Sequence, residues 1–382
     1  MKLHLYQKTS HYFAQLPDDS KDLALRELHS LGAEELRPVY RGIRFKASHE
    51  ALYRINLCSR LVHRVLAPLK TFDCHSDKYL YKTALKVKWE TLLDPSRTLA
   101  VFSSVSDSRI RHSQYAALRL KDAIVDYFRV RHDNKRPSID TVNPDVWINL
   151  HIRNNKATIS LDTSGGSLHR RGYRRKAIEA PMMETLAAAI LQHTEWDGNT
   201  PLYDPFCGSG TILCEALMLA ANMPANFLRK RFGFENMPDF DAAVWKKIRE
   251  QAQSQIKAVP TGRIAGSDKS PQAVQATLRN IGMLDKGNAI QIQQADVFEL
   301  ESLANTTIVT NPPYGVRMTQ GRDSSAFYQM LGDFLKQNCK QSTAFIYFGA
   351  AEDVKKLGLK PAWKKSLANG GLDGRLAKFE IY

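Results

Sequence analysis

The chain has 382 residues, with 54 Lys plus Arg against 39 Asp plus Glu, for a net charge of +15. Hydrophobic residues at 43% and charged residues at 24% are those of a folded globular protein and exclude a disordered or low-complexity chain. Apolar runs such as Leu186–Leu191 and Ala216–Ala221 fall far short of the ~20 residues that cross a bilayer, so no membrane partner is expected.

The five cysteines show no CxxC spacing, which argues against a disulfide framework and a cysteine zinc site. With a polar N-terminus lacking an apolar signal core, the expectation is a reduced, cytoplasmic protein without a metal. The surplus of cations points to an anionic partner, nucleic acid first.

In chain order, residues 20–32 predict a helix, Arg41–Ala47 a strand and His49–Leu57 a second helix. Thr98–Val105 reads as a strand and Ser113–Val130 as a long helix. Val146–Ile152 and Lys156–Asp162 flank Asn154-Asn155 as a hairpin. This half holds no catalytic constellation and its histidines lack metal-ligand spacing. It reads as an α+β binding module in which Arg60, Arg64, Arg109, Arg111, Arg119 and Lys121 form either a phosphate-contacting surface or an ordinary solvated helix face; on the first reading Arg60, Arg111, Arg119 and Lys121 are the expected nucleic-acid contacts.

Thr163–Ser167 (TSGGS) predicts a flexible connector, and directly after it five cations fall within the seven residues Arg170–Lys176. Of these, Arg170, Arg171, Arg174 and Arg175 are expected to touch RNA. Residues 1–170 carry a net +10 and the remainder +5, which places the stronger electrostatic attraction in the first half.

The second half carries the chemistry. Thr200–Phe206 is a strand, followed by the small-residue loop Cys207-Gly208-Ser209-Gly210-Thr211 and the helical ILCEALMLAAN. The loop lacks the P-loop lysine and is not GxGxxG, so it suits a cofactor that presents an amino acid, S-adenosylmethionine above all. Met223–Val259 interrupts the next unit as a loop and a helix, for packing or for RNA. Arg263–Ser267 is a strand ending at Asp268, placed to accept ribose hydroxyls, and Ala289–Gln294 a strand leading to Asp296, placed to accept from an adenine amine.

Thr306–Thr310 is a fourth strand and runs into Asn311-Pro312-Pro313-Tyr314. Two prolines fix the carbonyl directions of this loop. Asn311 and Pro312 then offer oxygens to the two hydrogens of an exocyclic amine, with Tyr314 stacking on its base.

DPFCGSGT (204–211) followed by TNPPYGVR (310–317) resembles the amino-group methyltransferases dependent on S-adenosylmethionine. The resemblance is closer still to the bacterial guanine-N2 methyltransferases of 23S ribosomal RNA, the RlmL-like group. HSQYAALRLKDAIVD (112–126), LHRRGYR (168–174) and APMMETLAAAI (180–190) extend it over essentially the whole chain. It implies an α/β fold: a Rossmann-like class I methyltransferase at 166–382, preceded by a ferredoxin-like segment at 1–55 and a THUMP RNA-binding domain at 56–165. It also implies that Asp204, Phe206, Cys207, Gly208, Gly210, Thr211, Asp268, Asp296 and Asn311 line the cofactor pocket. Asn311, Pro312, Pro313 and Tyr314 would hold the target base, and the partner would be 23S rRNA or its precursor particle. The pattern departs at Met183, where a lysine is expected, and at Val316, where a glutamate is expected. Two other readings stand beside this one: N6-adenine methylation of DNA or RNA, and a non-catalytic rRNA-binding assembly factor.

Overall fold

The structure is a computed structural model that describes residues 3–174, 182–313, 324–370 and 372–382. The chain forms two compact units. One comprises the residues up to Leu168 together with Arg229–Arg249, and the other comprises His169–Leu228 and Glu250–Tyr382.

The first unit is built on eight strands: β1 (His11–Gln15), β2 (Glu34–Val39), β3 (Gly42–Lys46), β4 (Arg64–Asp73), β5 (Thr98–Ser106), β6 (Ser138–Ile139), β7 (Val146–Arg153) and β8 (Lys156–Asp162). Their order is β2-β3-β1-β4-β8-β7-β5-β6, antiparallel except where β5 runs parallel to β6 and β7. Strand period two puts Val65, Ala67, Ile148, Leu150, Ile152, Ala157, Ile159 and Leu161 on one buried face. Helices Lys21–Ser30 and Ser113–Arg131 pack against this sheet. The sequence reading assigns nothing to β4, yet β4 joins the sheet into one. It pairs with β1 through Arg64–Leu66 and with β8 from Leu66 to Asp73. A register shift between Pro68 and Lys70 accommodates the proline, which cannot donate to the ladder.

Two expectations change here. Thr163–Ser167 is not a flexible connector: Thr163 and Ser164 are fully buried. The Thr163 hydroxyl donates to the Val65 carbonyl at 2.9 Å and the Ser164 hydroxyl to Asn56 Oδ1 at 2.8 Å. The interrupting segment serves packing. Phe234 stacks on Tyr53, with the rings 4.4 Å apart, and on Phe232, while Trp245 meets Tyr53 and Phe234 edge-on. Asp239 accepts from the Tyr6 hydroxyl at 2.9 Å and lies 3.2 Å from His49 Nε2.

The second unit contains β9 (Leu202–Asp204), β10 (Ile264–Asp268), β11 (Ile290–Gln294), β12 (Thr307–Thr310), β13 (Ser342–Phe348), β14 (Trp363–Ser366) and β15 (Arg375–Ile381). The order is β11-β10-β9-β12-β13-β15-β14, with the first five parallel and β15 antiparallel to both of its neighbours. The inner strands β12 and β13 are apolar on both sides, as a sheet covered on both faces requires, whereas the edge strand β11 alternates Ile with Gln. Val309, Phe345 and Tyr347 belong to one core cluster, and Ile308, Ala344, Ile346 and Phe348 to another. From β9 the chain moves outward to β10 and β11, then returns to β12 on the other side. The loops after β9 and β12 therefore flank the topological switch point, where ligands bind in open α/β sheets.

Candidate active site

Helix Thr211–Ala220 follows β9 through a loop in which Gly208 and Gly210 have φ of 57° and 75°. These are left-handed values that favour glycine. A side chain at Gly210 would also strike Thr277, its Cβ lying 2.7 Å from Cγ2. The loop is fastened on its far side: Cys207 N–H donates to the Ser267 carbonyl at 2.9 Å, and Thr277 Oγ1 and Asn280 Nδ2 each donate at 2.9 Å to the carbonyls of Gly208 and Ser209. Thr277 and Asn280 lie on helix Pro271–Ile281 and were not among the residues picked from sequence.

Asp204 sits beneath this loop, 1% exposed. Its Oδ1 accepts from the Thr310 hydroxyl at 2.7 Å and from Phe206 N–H at 3.1 Å, tying the end of β9 to the end of β12. Burial pushes its carboxyl up to about 7, an effect that Asp268 reinforces. Burial likewise raises the Cys207 thiol well above its ordinary range, which favours its protonated form. Phe206 lies half-buried with its ring 5.7 Å from Phe327.

Asp268 ends β10, half-exposed. Its Oδ2 accepts from Gly208 N–H at 3.0 Å and its Oδ1 from Ser270 N–H at 2.9 Å. Asp296 follows β11 and caps the short turn Val297–Glu299 by accepting from Phe298 N–H at 3.2 Å. At the end of β12, Asn311 Oδ1 is a buried acceptor with no hydrogen-bond donor among the described residues. A buried carbonyl oxygen left unmatched is costly, and such an atom at a switch point marks a place for a ligand donor. Pro312 is buried and Pro313 half-buried; Tyr314 and Val316 lie outside the described residues. Carboxylates at the ends of two successive strands and a loop without a lysine are a donor set suited to a nucleoside that carries an amino acid.

The expected nucleic-acid contacts divide. Arg111 and Arg170 are exposed. Arg119, 28% exposed in its side chain, lies 3.6 Å from Asp77 and stacks over the Tyr81 ring at 4.8 Å. With Lys121, Arg129 and Arg136 it lines a cleft of about 420 Å³. Arg60 is half-buried, its backbone N–H donating to Glu27. Arg171 and Arg174 must be corrected: they turn into the second unit instead of toward solvent. Arg171 is 1% exposed and pairs with Glu215 at 3.3 Å, and Arg174 pairs with Glu184 at 3.1 Å. ILCEALMLAAN carries part of the signal, since a lone acid in an apolar helix needs a hydrogen-bond or ionic partner once buried, but it does not say which residue supplies it. Arg175 lies outside the described residues.

The comparisons with known proteins fall on the same two units. The RMKL-like methyltransferase domain family matches residues 171–378, the THUMP domain 74–162 and the RlmL ferredoxin-like domain 12–66. A Synechocystis protein that carries an RNA methyltransferase name is 37% identical over 98% of this chain and 97% of its own length. The ribosomal RNA large subunit methyltransferase K/L of Syntrophotalea carbinolica is 37% identical over 97% of this chain; the chain spans about half (53%) of that relative. Among solved structures, the crystal structure of SMU.472 complexed with SAH covers 100% of this chain, and 99% of its own, at a TM-score of 0.85 and 25% identity. The chain belongs to the RMKL-like methyltransferase family, with a THUMP domain and an RlmL ferredoxin-like domain ahead of its methyltransferase domain.

Proposed function

We propose that this protein transfers a methyl group from S-adenosylmethionine to the exocyclic N2 amine of a guanine in 23S ribosomal RNA. The observation that carries the reading is the buried Asn311 Oδ1, unmatched among the described residues and two strands from Asp268 across the switch point. The K/L name of the ribosomal RNA methyltransferase relatives supports the substrate. When bound, the donor supplies an electrophilic methyl group on a sulfonium, so neither a metal nor a strong base is needed to activate it. Asp268 accepts ribose hydroxyls, Asp296 accepts from the adenine amine, and Gly208 and Gly210 hold the loop along the amino-acid end.

Asn311 Oδ1 and the Pro312 carbonyl accept the two amine hydrogens, which draws the nitrogen lone pair out of conjugation and toward the face from which the methyl group arrives. The surplus amine proton then leaves to solvent water. Holding the amine at this angle supplies most of the rate. An amine inside a duplex cannot be approached in line, so the guanine enters unstacked or flipped. The division of labour we propose gives residues 1–55 and 56–165 to gripping RNA and residues 166–382 to transfer.

The test is transfer of labelled methyl from S-adenosylmethionine to protein-free 23S and 16S rRNA, followed by nucleoside analysis. N2-methylguanosine from 23S alone is expected. N6-methyladenosine would overturn the target base while keeping the donor. No transfer to RNA despite donor binding would favour a non-catalytic assembly role.

A further inference from the structure

The basic run at the start of the second unit contains a buried arginine, Arg171, and a half-buried one, Arg174, that serve one helix. Helix Thr211–Ala220 opens directly after the glycine loop, and Thr211 and Glu215 stand one turn apart on the same side of it. Arg174 Nη2 donates to Thr211 Oγ1 at 3.0 Å and to the Met182 carbonyl at 2.9 Å, while its Nε reaches Glu184 Oε1 at 3.1 Å. One turn along, Glu215 Oε1 accepts from Arg171 Nε at 3.3 Å and from the Tyr173 hydroxyl at 3.2 Å. Thr211, Glu184 and Glu215 are all nearly inaccessible.

The placement of Arg174 is the informative one. A guanidinium beside the first residue of a helix faces the positive end of the helix dipole, which disfavours it there. A buried ion pair is also weak as a source of stability. What the contact does provide is a fixed position for Thr211, the last residue of the loop, through one N–H of a rigid planar group that its bonds to Met182 and Glu184 hold in place.

We infer that Arg174 is a positioning residue for the methyl donor: by holding Thr211 it sets the conformation in which the Cys207–Thr211 loop accepts the donor's amino-acid end. Arg171, bound one turn further along, secures the body of the helix and has no such role. The inference rests on the reading of this loop as the donor site.

The test uses the full chain and titrates S-adenosylhomocysteine by calorimetry alongside steady-state kinetics. Arg174→Met is expected to raise both the Kd for S-adenosylhomocysteine and the donor KM by about tenfold, the loss of one charge-assisted contact, with kcat at saturating donor within about threefold. Arg174→Lys should recover part of that affinity. Thr211→Val, which leaves both ion pairs intact, should weaken binding in the same direction, and combining it with Arg174→Met should cost little more than Arg174→Met alone. Should Arg174→Met not fold, Arg174→Lys and Thr211→Val carry the test through their donor Kd.

Wild-type donor affinity in these variants would overturn the inference. So would independent, multiplying effects of Arg174→Met and Thr211→Val, or a fall in the salt dependence of RNA binding in Arg174→Met. A wild-type chain that binds no S-adenosylhomocysteine would instead remove the donor-site reading itself, and the inference with it.

Discussion

The seven-stranded sheet and the eight-stranded sheet distribute their polar groups in opposite ways. In the former, Asp204, Asp268 and Asn311 stand at or just beyond the carboxyl ends of strands that lie side by side, because parallel strands deliver every such end to one edge. In the latter, neighbouring strands mostly alternate in direction, and Arg111, Arg119 and Lys121 sit on a helix or the segment before it, in part paired with Asp77 and Asp122. A parallel sheet thus gathers such polar groups along one edge. The antiparallel unit spreads its cations, so each is worth little alone.

The largest effect that follows is at Asn311. Asn311→Ala is expected to lower kcat by ~100-fold or more while leaving the Kd for S-adenosylhomocysteine within about twofold, since the lost contact is made to the reacting amine. Asp268→Ala should do the reverse, weakening donor binding by ~10-fold or more through lost charge-assisted hydrogen bonds, with Gly208 N–H released as well. Equal damage to both quantities in both variants would break the claim that the ends of β10 and β12 carry separate tasks.

A smaller effect is expected in the pH dependence of stability. The Asp204 carboxyl is raised to about 7 by burial, above its value in the unfolded chain. The folded state therefore holds a proton that the unfolded chain has released. This contribution is complete below about pH 4 and is lost at about 1.4 kcal/mol per pH unit as pH rises toward 7. Asp204→Asn keeps an acceptor for Thr310 and Phe206 and cannot ionise. Urea denaturation at pH 5 and pH 8 should show the variant gaining on the wild type by roughly 1–3 kcal/mol between the two. An identical pH trend in both proteins would mean that another group controls it.

What was legible in the sequence follows the same divide. Asp204 and Asp268 each end a short strand that leads into a helix, a pattern that survives in one dimension because parallel strands repeat it. Strand Arg64–Asp73 was hidden because Pro68 and Lys70 break its alternation, and only pairing on both sides shows it to be a strand. Thr163–Ser167 has the composition of a linker, yet the same small hydroxyls build a buried turn once Val65 and Asn56 lie within reach. Arg171 and Arg174 looked like surface because sequence proximity reveals a cluster of cations but not its partners. Glu215 lies 44 residues from Arg171 in the chain, beyond any local pattern.

The smallest effect gives the sharpest test of the comparison, because it separates cations that face solvent from cations that do not. Each phosphate contact made by an exposed arginine adds close to one unit to the dependence of log K on log salt. Arg111→Gln and Arg170→Gln, both at exposed positions, should each lower affinity for an rRNA fragment only about two- to fivefold near 0.15 M salt and reduce the slope by ~0.7–1. Arg171→Met should leave the slope unchanged, since a side chain 1% exposed and bound to Glu215 displaces no counterion from RNA. If Arg171→Met flattened the slope as much as Arg170→Gln does, the buried pair would have to open when RNA binds, and the basic run would act as a single surface after all.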